Sequence, residues 1–154
     1  MKTIEGDLIQ LALEGRFDVI VHGCNCQCAM GAGIAKPIRA AFPEAYEADL
    51  ATTKGDRSKL GTFSSATVTR GDLKLTVVNA YTQFHWRGAG VLLDYEALER
   101  VFRDIASRFT GLRIAYPKIG AGLARGDWPR ITPVIDEALE GEDHALVVLP
   151  RTPG

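Results

Sequence analysis

Two hydrophobic periods alternate along the chain. Short apolar runs at 17–22, Leu73–Tyr81, 113–116 and 145–149 read as strands, with a shorter one at Lys2–Glu5. Segment 62–70 is more alternating and polar. It meets Leu73–Tyr81 through Gly71-Asp72, a turn-forming pair, which predicts an antiparallel hairpin. Helical periodicity fills the intervals. It is clearest over Tyr95–Arg108, where Leu98, Val101, Phe102, Ile105 and Phe109 recur at steps of three and four behind Asp94 as N-cap. Residues 34–42 predict a second helix with Pro37 in its early turns, and Pro43–Leu50 a third. A fourth spans 128–140 with Pro133 inside it, so it either starts at Thr132 or has an irregular first turn. This alternation predicts a single α/β domain over 1–154, with a mixed central sheet covered by helices on both faces.

Composition narrows the class. Hydrophobic residues make up 46% and charged residues 24% of 154, which excludes a disordered tail and leaves enough chain for a core. The 18 Lys and Arg against 19 Asp and Glu give a net charge of −1, so no basic excess holds nucleic acid by its phosphates. Residues 1–7 contain no apolar leader segment, and no run approaches a membrane span. Cys24, Cys26 and Cys28 are odd in number and crowded, poor material for a disulfide framework, and point to a reducing cytoplasm. One-residue spacing with no second Cys or His pair is also poor for zinc, and no cofactor is implied.

The chemistry lies in two glycine-rich turns, each leaving a strand towards a helix. The first runs from His22-Gly23-Cys24-Asn25-Cys26 to Gly31-Ala32-Gly33-Ile34-Ala35. The second is Pro117-Lys118-Ile119-Gly120-Ala121-Gly122-Leu123-Ala124-Arg125-Gly126. Small residues let the main chain approach a ligand, and successive amides near a helix start form an anion site. Two such turns in one α/β sheet point to a crevice for a diphosphate. Neither turn spells a P-loop or a GxGxxG fingerprint. The plainer alternative is that the glycines serve only the turns.

In order along the chain, Gly6-Asp7-Leu8, Val21-His22-Gly23-Cys24-Asn25-Cys26, Gly31-Ala32-Gly33-Ile34-Ala35, Val78-Asn79-Ala80-Tyr81-Thr82-Gln83 and Pro117-Lys118-Ile119-Gly120-Ala121-Gly122-Leu123 followed by Trp128 resemble a macro domain. The resemblance implies a three-layer α/β/α domain that binds ADP-ribose. It implies that Asp7, beside Leu8, receives the adenine amine, although Asp7 is equally placed to cap a helix, and the two roles coexist. It implies further that Gly31, Ala32, Gly33, Ile34 and Ala35 wrap the distal ribose with Asn25. Gly120, Ala121, Gly122, Leu123, Ala124 and Arg125 then cradle the pyrophosphate, with Thr82 and Gln83 beside them.

Within the family, the His-x-Cys-Asn-Cys form is most similar to the ADP-ribose 1''-phosphate phosphatase branch. That branch is close to the glycohydrolases that free ADP-ribose from protein and DNA. Those glycohydrolases use a lysine where this chain has Gln83, which cannot form a Schiff base. An aspartate they carry after the Gly-x-Gly-Leu run is here Ala124. The resemblance therefore implies hydrolysis of an ADP-ribose derivative, the 1''-phosphate first, with His22 and Asn25 as catalytic residues. The alternatives are an ADP-ribosyl hydrolase acting on protein or nucleic acid without lysine, and a reader without turnover. His22 is either a base or phosphate donor, or a satisfied histidine at a strand end. Asn25 either binds ribose or stabilises its turn. Phe84-His85-Trp86-Arg87 ahead of Gly88-Ala89-Gly90 can stack on a base, cover the ligand, or simply pack on the rim.

Overall fold

The computed structural model describes residues 1–150; the end of the expected domain span, 151–154, lies outside the described residues. In chain order the elements are β1 (Lys2–Glu5), α1 (Leu8–Leu13), β2 (Val19–Cys24), α2 (Ala35–Ala41), α3 (Pro43–Leu50), β3 (Phe63–Arg70), β4 (Leu73–Tyr81), α4 (Tyr95–Arg108), β5 (Ile114–Tyr116), α5 (Trp128–Ala138) and β6 (His144–Val148). A short 3-10 turn at Arg57–Lys59 falls between α3 and β3. The strands form one sheet in the order β1-β6-β5-β2-β4-β3. All neighbours are parallel except β3 and β4, the hairpin expected through Gly71-Asp72.

Alternation along the strands builds two cores. Val19, Val21, Val78, Ala80, Ile114, Tyr116 and Leu146 face one way, against Leu98, Val101, Phe102 and Ile105 of α4 and Ile131 and Ile135 of α5. Ile20, Leu75, Val77, Ala115 and Val147 face the other way, against Leu8 and Ala12 of α1, Ile38 of α2 and Ala45 of α3. A parallel sheet buried on both sides needs apolar residues at successive positions, which is why its strands read as short continuous runs. The mixed three-layer α/β/α architecture is the one expected. No helix among the described residues is long and apolar enough to cross a membrane.

Two elements differ from expectation. β2 begins at Val19, because Phe17 packs into the α1–α3 core and the Asp18 carboxylate accepts from the Arg113 backbone and guanidinium (2.8–3.1 Å). It then continues past His22, because Gly23 and Cys24 still pair with Ala80 and Tyr81 of β4. The other is α5, which starts at Trp128, not Thr132, and runs unbroken through Pro133. Pro133 offers no N–H to the carbonyl of Pro129 one turn back. Ile131 and Ile135, fully buried on either side of it, hold the helix together through packing.

Pro133→Ala supplies the missing donor. It should stabilise the protein by roughly 1 kcal/mol or more in urea unfolding, given the cost of an interior proline. A lower midpoint would show that the proline's fixed φ is what seats Ile131 and Ile135.

Candidate functional site

Three adjacent parallel strands, β5, β2 and β4, end on the same edge of the sheet. Each feeds a loop into the space above that edge: the first glycine turn after β2, the second after β5, and residues 82–93 after β4. Crevices outside the carboxyl ends of parallel strands are where open α/β sheets bind ligands. Here the crevice holds a cavity of about 820 Å³, lined by Gly31, Ala32, Gly33, Ile34 and Ala35 of one turn and Gly120, Ala121, Gly122, Leu123 and Ala124 of the other, with Asn25, Gln83 and Trp86. A second cavity of about 550 Å³ is lined by Asp7, Leu8, Ile9 and Val147. Gly33, Ile34, Pro117 and Lys118 line both, so the two are lobes of one cleft. A third cavity of about 230 Å³ lies elsewhere, among Lys2, Arg16 and Arg113; Lys2 and Arg113 there pair with Asp143 and Asp18.

Both turns that line the larger lobe carry unpaired backbone donors. The N–H groups of Gly31, Ala32, Gly33 and Ile34, and those of Gly122, Leu123 and Ala124, have no acceptor among the described residues. Facing amides of this kind bind anions. The glycines divide into two kinds. Gly33 (φ +58°) and Gly120 (φ +77°) hold left-handed conformations, and a Cβ on Gly120 would meet the Leu93 side chain at 2.8 Å, so both serve the turns. Gly31 and Gly122 have no positive φ, and a Cβ on either would meet nothing within 4 Å. What these two leave open is the cleft. A Cβ on Gly33 would lie 3.3 Å from Leu123, so the two turns nearly touch across it.

Charge in the cleft is sparse and ordered. Asp7 stands at the end of the smaller lobe, where Oδ1 caps α1 by accepting from the Gln10 N–H (3.0 Å) and Oδ2 has no partner among the described residues. Lys118, exposed and likewise without a hydrogen-bond or ion-pair partner among the described residues, stands where the lobes meet. The larger lobe is lined by no carboxylate and no imidazole. Its Cys24 thiol is pushed well up by burial and by the Asp49 carboxylate, which keeps it protonated and unreactive.

His22 needs correction as a catalytic residue. It is fully buried on the α3 side of β2 and does not line the cleft. The Asn79 amide donates to Ala45 O (2.9 Å) and Ser64 Oγ (3.0 Å), so its oxygen accepts from His22 Nε2 (2.7 Å). Ser64 then donates to the Tyr81 hydroxyl (2.7 Å), and Tyr81 donates to Asp49 Oδ1 (2.7 Å). Burial lowers the His22 pKa to about 4 against the opposing pull of Asn79, so the ring is neutral. It is the satisfied histidine of the two alternatives.

Two other expected residues, Thr82 and Arg125, stand outside the cleft lining. Thr82 is fully buried behind Gly23, where a Cβ would meet its hydroxyl at 2.9 Å, and it does not reach the cleft. Arg125 points away from the cleft and donates to the carbonyls of Gly88 (3.1 Å) and Gly90 (2.7 Å), fastening the aromatic loop to the second glycine turn. Asn25 does line the cleft, but its amide donates to Ala29 O (3.0 Å) and its oxygen accepts from the Gln27 N–H (2.9 Å), so it also pins the first turn. Gln83 lines the cleft with Nε2 held by His85 O (3.0 Å), which leaves Oε1 free. Lys118 lines both lobes although the expected binding residues do not include it. Its signal was a lone cation inside a run of small residues. The Asn79–Ser64–Tyr81–Asp49 chain had no sequence signal, because its members lie on three separate elements.

A doubly covered sheet with a two-lobed cleft between glycine turns defines an α/β domain of the nucleotide-binding kind. The family model for the Macro domain matches residues 21–135, and the chain belongs to the macro-domain family. It is 36% identical over 141 residues to an uncharacterized 17.5 kDa protein of Enterobacteria phage T4 encoded in the tk-vs intergenic region, covering 88% of each chain. It is 30% identical over 145 residues to the DNA ADP-ribosyl glycohydrolase of Thermus aquaticus, covering 91% of this chain but only 38% of that protein's length. The macrodomain of Thermus aquaticus DarG superposes over 97% of both chains with a TM-score of 0.73 at 28% identity.

Because His22 takes up its proton at about 4 when folded and near 6.5 when unfolded, the unfolded state binds more protons between those values. Stability should therefore fall as pH drops from 6.5 towards 4, by roughly 2 kcal/mol at pH 5 from this group. His22→Gln should flatten that part of the urea-unfolding pH profile. An unchanged slope would mean the ring protonates in the folded state.

Proposed function

We propose that the protein binds ADP-ribose along the two-lobed cleft and hydrolyses the bond joining its distal ribose, at C1'', to DNA. The observation that supports this most directly is the shared lining of the lobes. One lobe offers an acceptor at an apolar seat, the other a pair of amide-lined turns, and a cation stands at their junction. Adenine occupies the smaller lobe on Leu8, Ile9 and Val147, with Asp7 Oδ2 accepting from its exocyclic amine. The diphosphate lies at the junction between Lys118 and the amides of Gly31–Ile34 and Gly122–Ala124. The distal ribose enters the larger lobe beside Ala35, Asn25 and Gln83. Thr82 and Arg125 position these walls from behind. The likeness to a DNA ADP-ribosyl glycohydrolase supports DNA as the attached group.

Hydrolysis here relies on orientation and fixed dipoles rather than on a strong base. Gln83 Oε1, steadied by the His85 carbonyl on its Nε2, accepts from an attacking water without deprotonating it. The oxygen of that water bonds to C1'' as the bond to the base breaks; one water proton stays on the new C1'' hydroxyl and the other is passed through solvent to the released base. Glutamine at this position also favours a second reading, hydrolysis of ADP-ribose 1''-phosphate, because it removes the lysine on which the glycohydrolases of the resemblance depend. The three free thiols fit a cytoplasmic setting for either reading.

Calorimetry should show one-to-one binding of ADP-ribose in the micromolar range, about −8 kcal/mol. Incubation with an ADP-ribosylated oligonucleotide, ADP-ribosylated protein and ADP-ribose 1''-phosphate should release ADP-ribose from the oligonucleotide. Release from the phosphate alone would replace the first reading by the second. No saturable heat at millimolar ADP-ribose would remove both.

Gly122→Val separates the ligand role of a glycine from its turn role. A Cβ at position 122 meets nothing within 4 Å and the backbone there is not left-handed, so the melting temperature should hold. ADP-ribose affinity should fall by about tenfold or more, since the side chain fills ligand space. Retained affinity would show that this turn does not contact the ligand. Gly33→Val is the weaker test, because φ +58° strains any side chain there.

A further inference from the structure

The loop that follows β4 is built more firmly than a cavity rim requires. Its base is closed by an antiparallel bridge between Gln83 and Leu93, and the Asp94 N–H donates to Thr82 O at 2.8 Å. The Leu92 N–H donates to Ala124 O at 2.8 Å, and Arg125 holds two more carbonyls, so the loop is fastened to the second glycine turn along its length. At its tip Trp86 borders the larger lobe beside Gln83, 46% exposed. The His85 ring packs against it, centroids 4.0 Å apart at 31°, and His85 Nδ1 accepts from the Arg87 N–H (3.2 Å). A large aromatic face is thus partly exposed on the rim of the larger lobe, in the same lining as Gln83.

Two arginines lie against the aromatic rings of this loop although the chain as a whole carries −1. Arg57 lies over the Phe84 ring at 4.0 Å and Arg87 lies 5.8 Å from the Trp86 ring. Neither forms an ion pair with a carboxylate among the described residues. The neighbouring Asp56 turns its Oδ1 to the Ser58 N–H and hydroxyl. A fixed aromatic plane beside unpaired guanidinium groups matches the alternation of base and phosphate in a single nucleic-acid strand.

We infer that Trp86 is a stacking platform for the nucleobase to which ADP-ribose is attached, or for its neighbour, and that Arg87 and Arg57 contact the flanking phosphates. The loop then makes single-stranded DNA, rather than protein, the preferred carrier. This rests on the reading that the cleft holds ADP-ribose, and it adds a specificity residue that free ADP-ribose does not use.

The test compares free ADP-ribose, an ADP-ribosylated single-stranded oligonucleotide and an ADP-ribosylated peptide on the intact protein and on Trp86→Ala, Trp86→Phe and Arg87→Ala. Affinity is read as Kd, or as KM where turnover occurs. The intact protein should take the oligonucleotide more tightly than ADP-ribose or the peptide. Trp86→Ala should weaken the oligonucleotide at least about tenfold more than it weakens ADP-ribose, and Trp86→Phe should recover most of that difference. Arg87→Ala should lower the salt slope of oligonucleotide binding by about 0.7, the share of one single-strand phosphate. Equal losses for ADP-ribose and oligonucleotide would overturn the inference, as would no loss, or no preference of the intact protein for the oligonucleotide. Tight, Trp86-dependent binding without turnover would uphold the platform and remove the hydrolysis. Turnover indifferent to Trp86 would do the reverse.

Discussion

The cleft depends on one constraint: β2 lies parallel between β5 and β4 and is covered on both faces. Val19 and Val21 commit one face to the core under α4 and α5, and Ile20 commits the other to the core under α1–α3. With both faces buried, slipping β2 by one residue would reverse every one of its side chains. The register with Asn79, Ala80 and Tyr81 is therefore fixed, and so are the ends of the three strands. The glycine turns meet above β2 because their strands are neighbours, and the aromatic loop joins them because β4 is the other neighbour.

Behind the first turn, a buried polar chain ties the same strand to its surroundings. His22, Asn79, Ser64, Tyr81 and Asp49 link β2, β4, β3 and α3: each donor named in the run has an acceptor, and Asp49 Oδ2 at its end is buried without a partner among the described residues. Lys59 joins it, lying 4.6 Å from the Tyr81 ring centre and donating to the Cys26 carbonyl at 3.2 Å. The paired groups are tolerated this deep because their hydrogen bonds replace those to water, and Lys59 lies near the Asp49 carboxylate. They fix the floor of the first turn while its amides stay free above. Rigidity beneath and unpaired donors on top are two parts of one arrangement, since an amide bonded within its own turn cannot serve a phosphate.

The same division of labour recurs in the second turn. Gly120 supplies a backbone conformation, Gly122 supplies room, and Arg125 looks outward to anchor another loop. Open space and loop construction are thus carried by different residues within a few positions of each other.

The layers and the strand and helix elements could be read from the chain, because hydrophobic period is a local property that burial on one or two faces imposes directly. The hairpin at Gly71-Asp72, the α4 stripe and the small-residue turns are of this kind, and the ordered macro-domain motifs followed from them. What tertiary structure alone decided was the partner of each polar side chain. His22 sits in a strand end that sequence reads equally well as a base or as a core residue, and Asn79, far along the chain, settles it. Thr82 falls behind a glycine, Arg125 turns to a loop formed by other residues, and Pro133 stays helical because two isoleucines are buried beside it. Each outcome depends on segments distant in sequence, and no local pattern records which of them will meet.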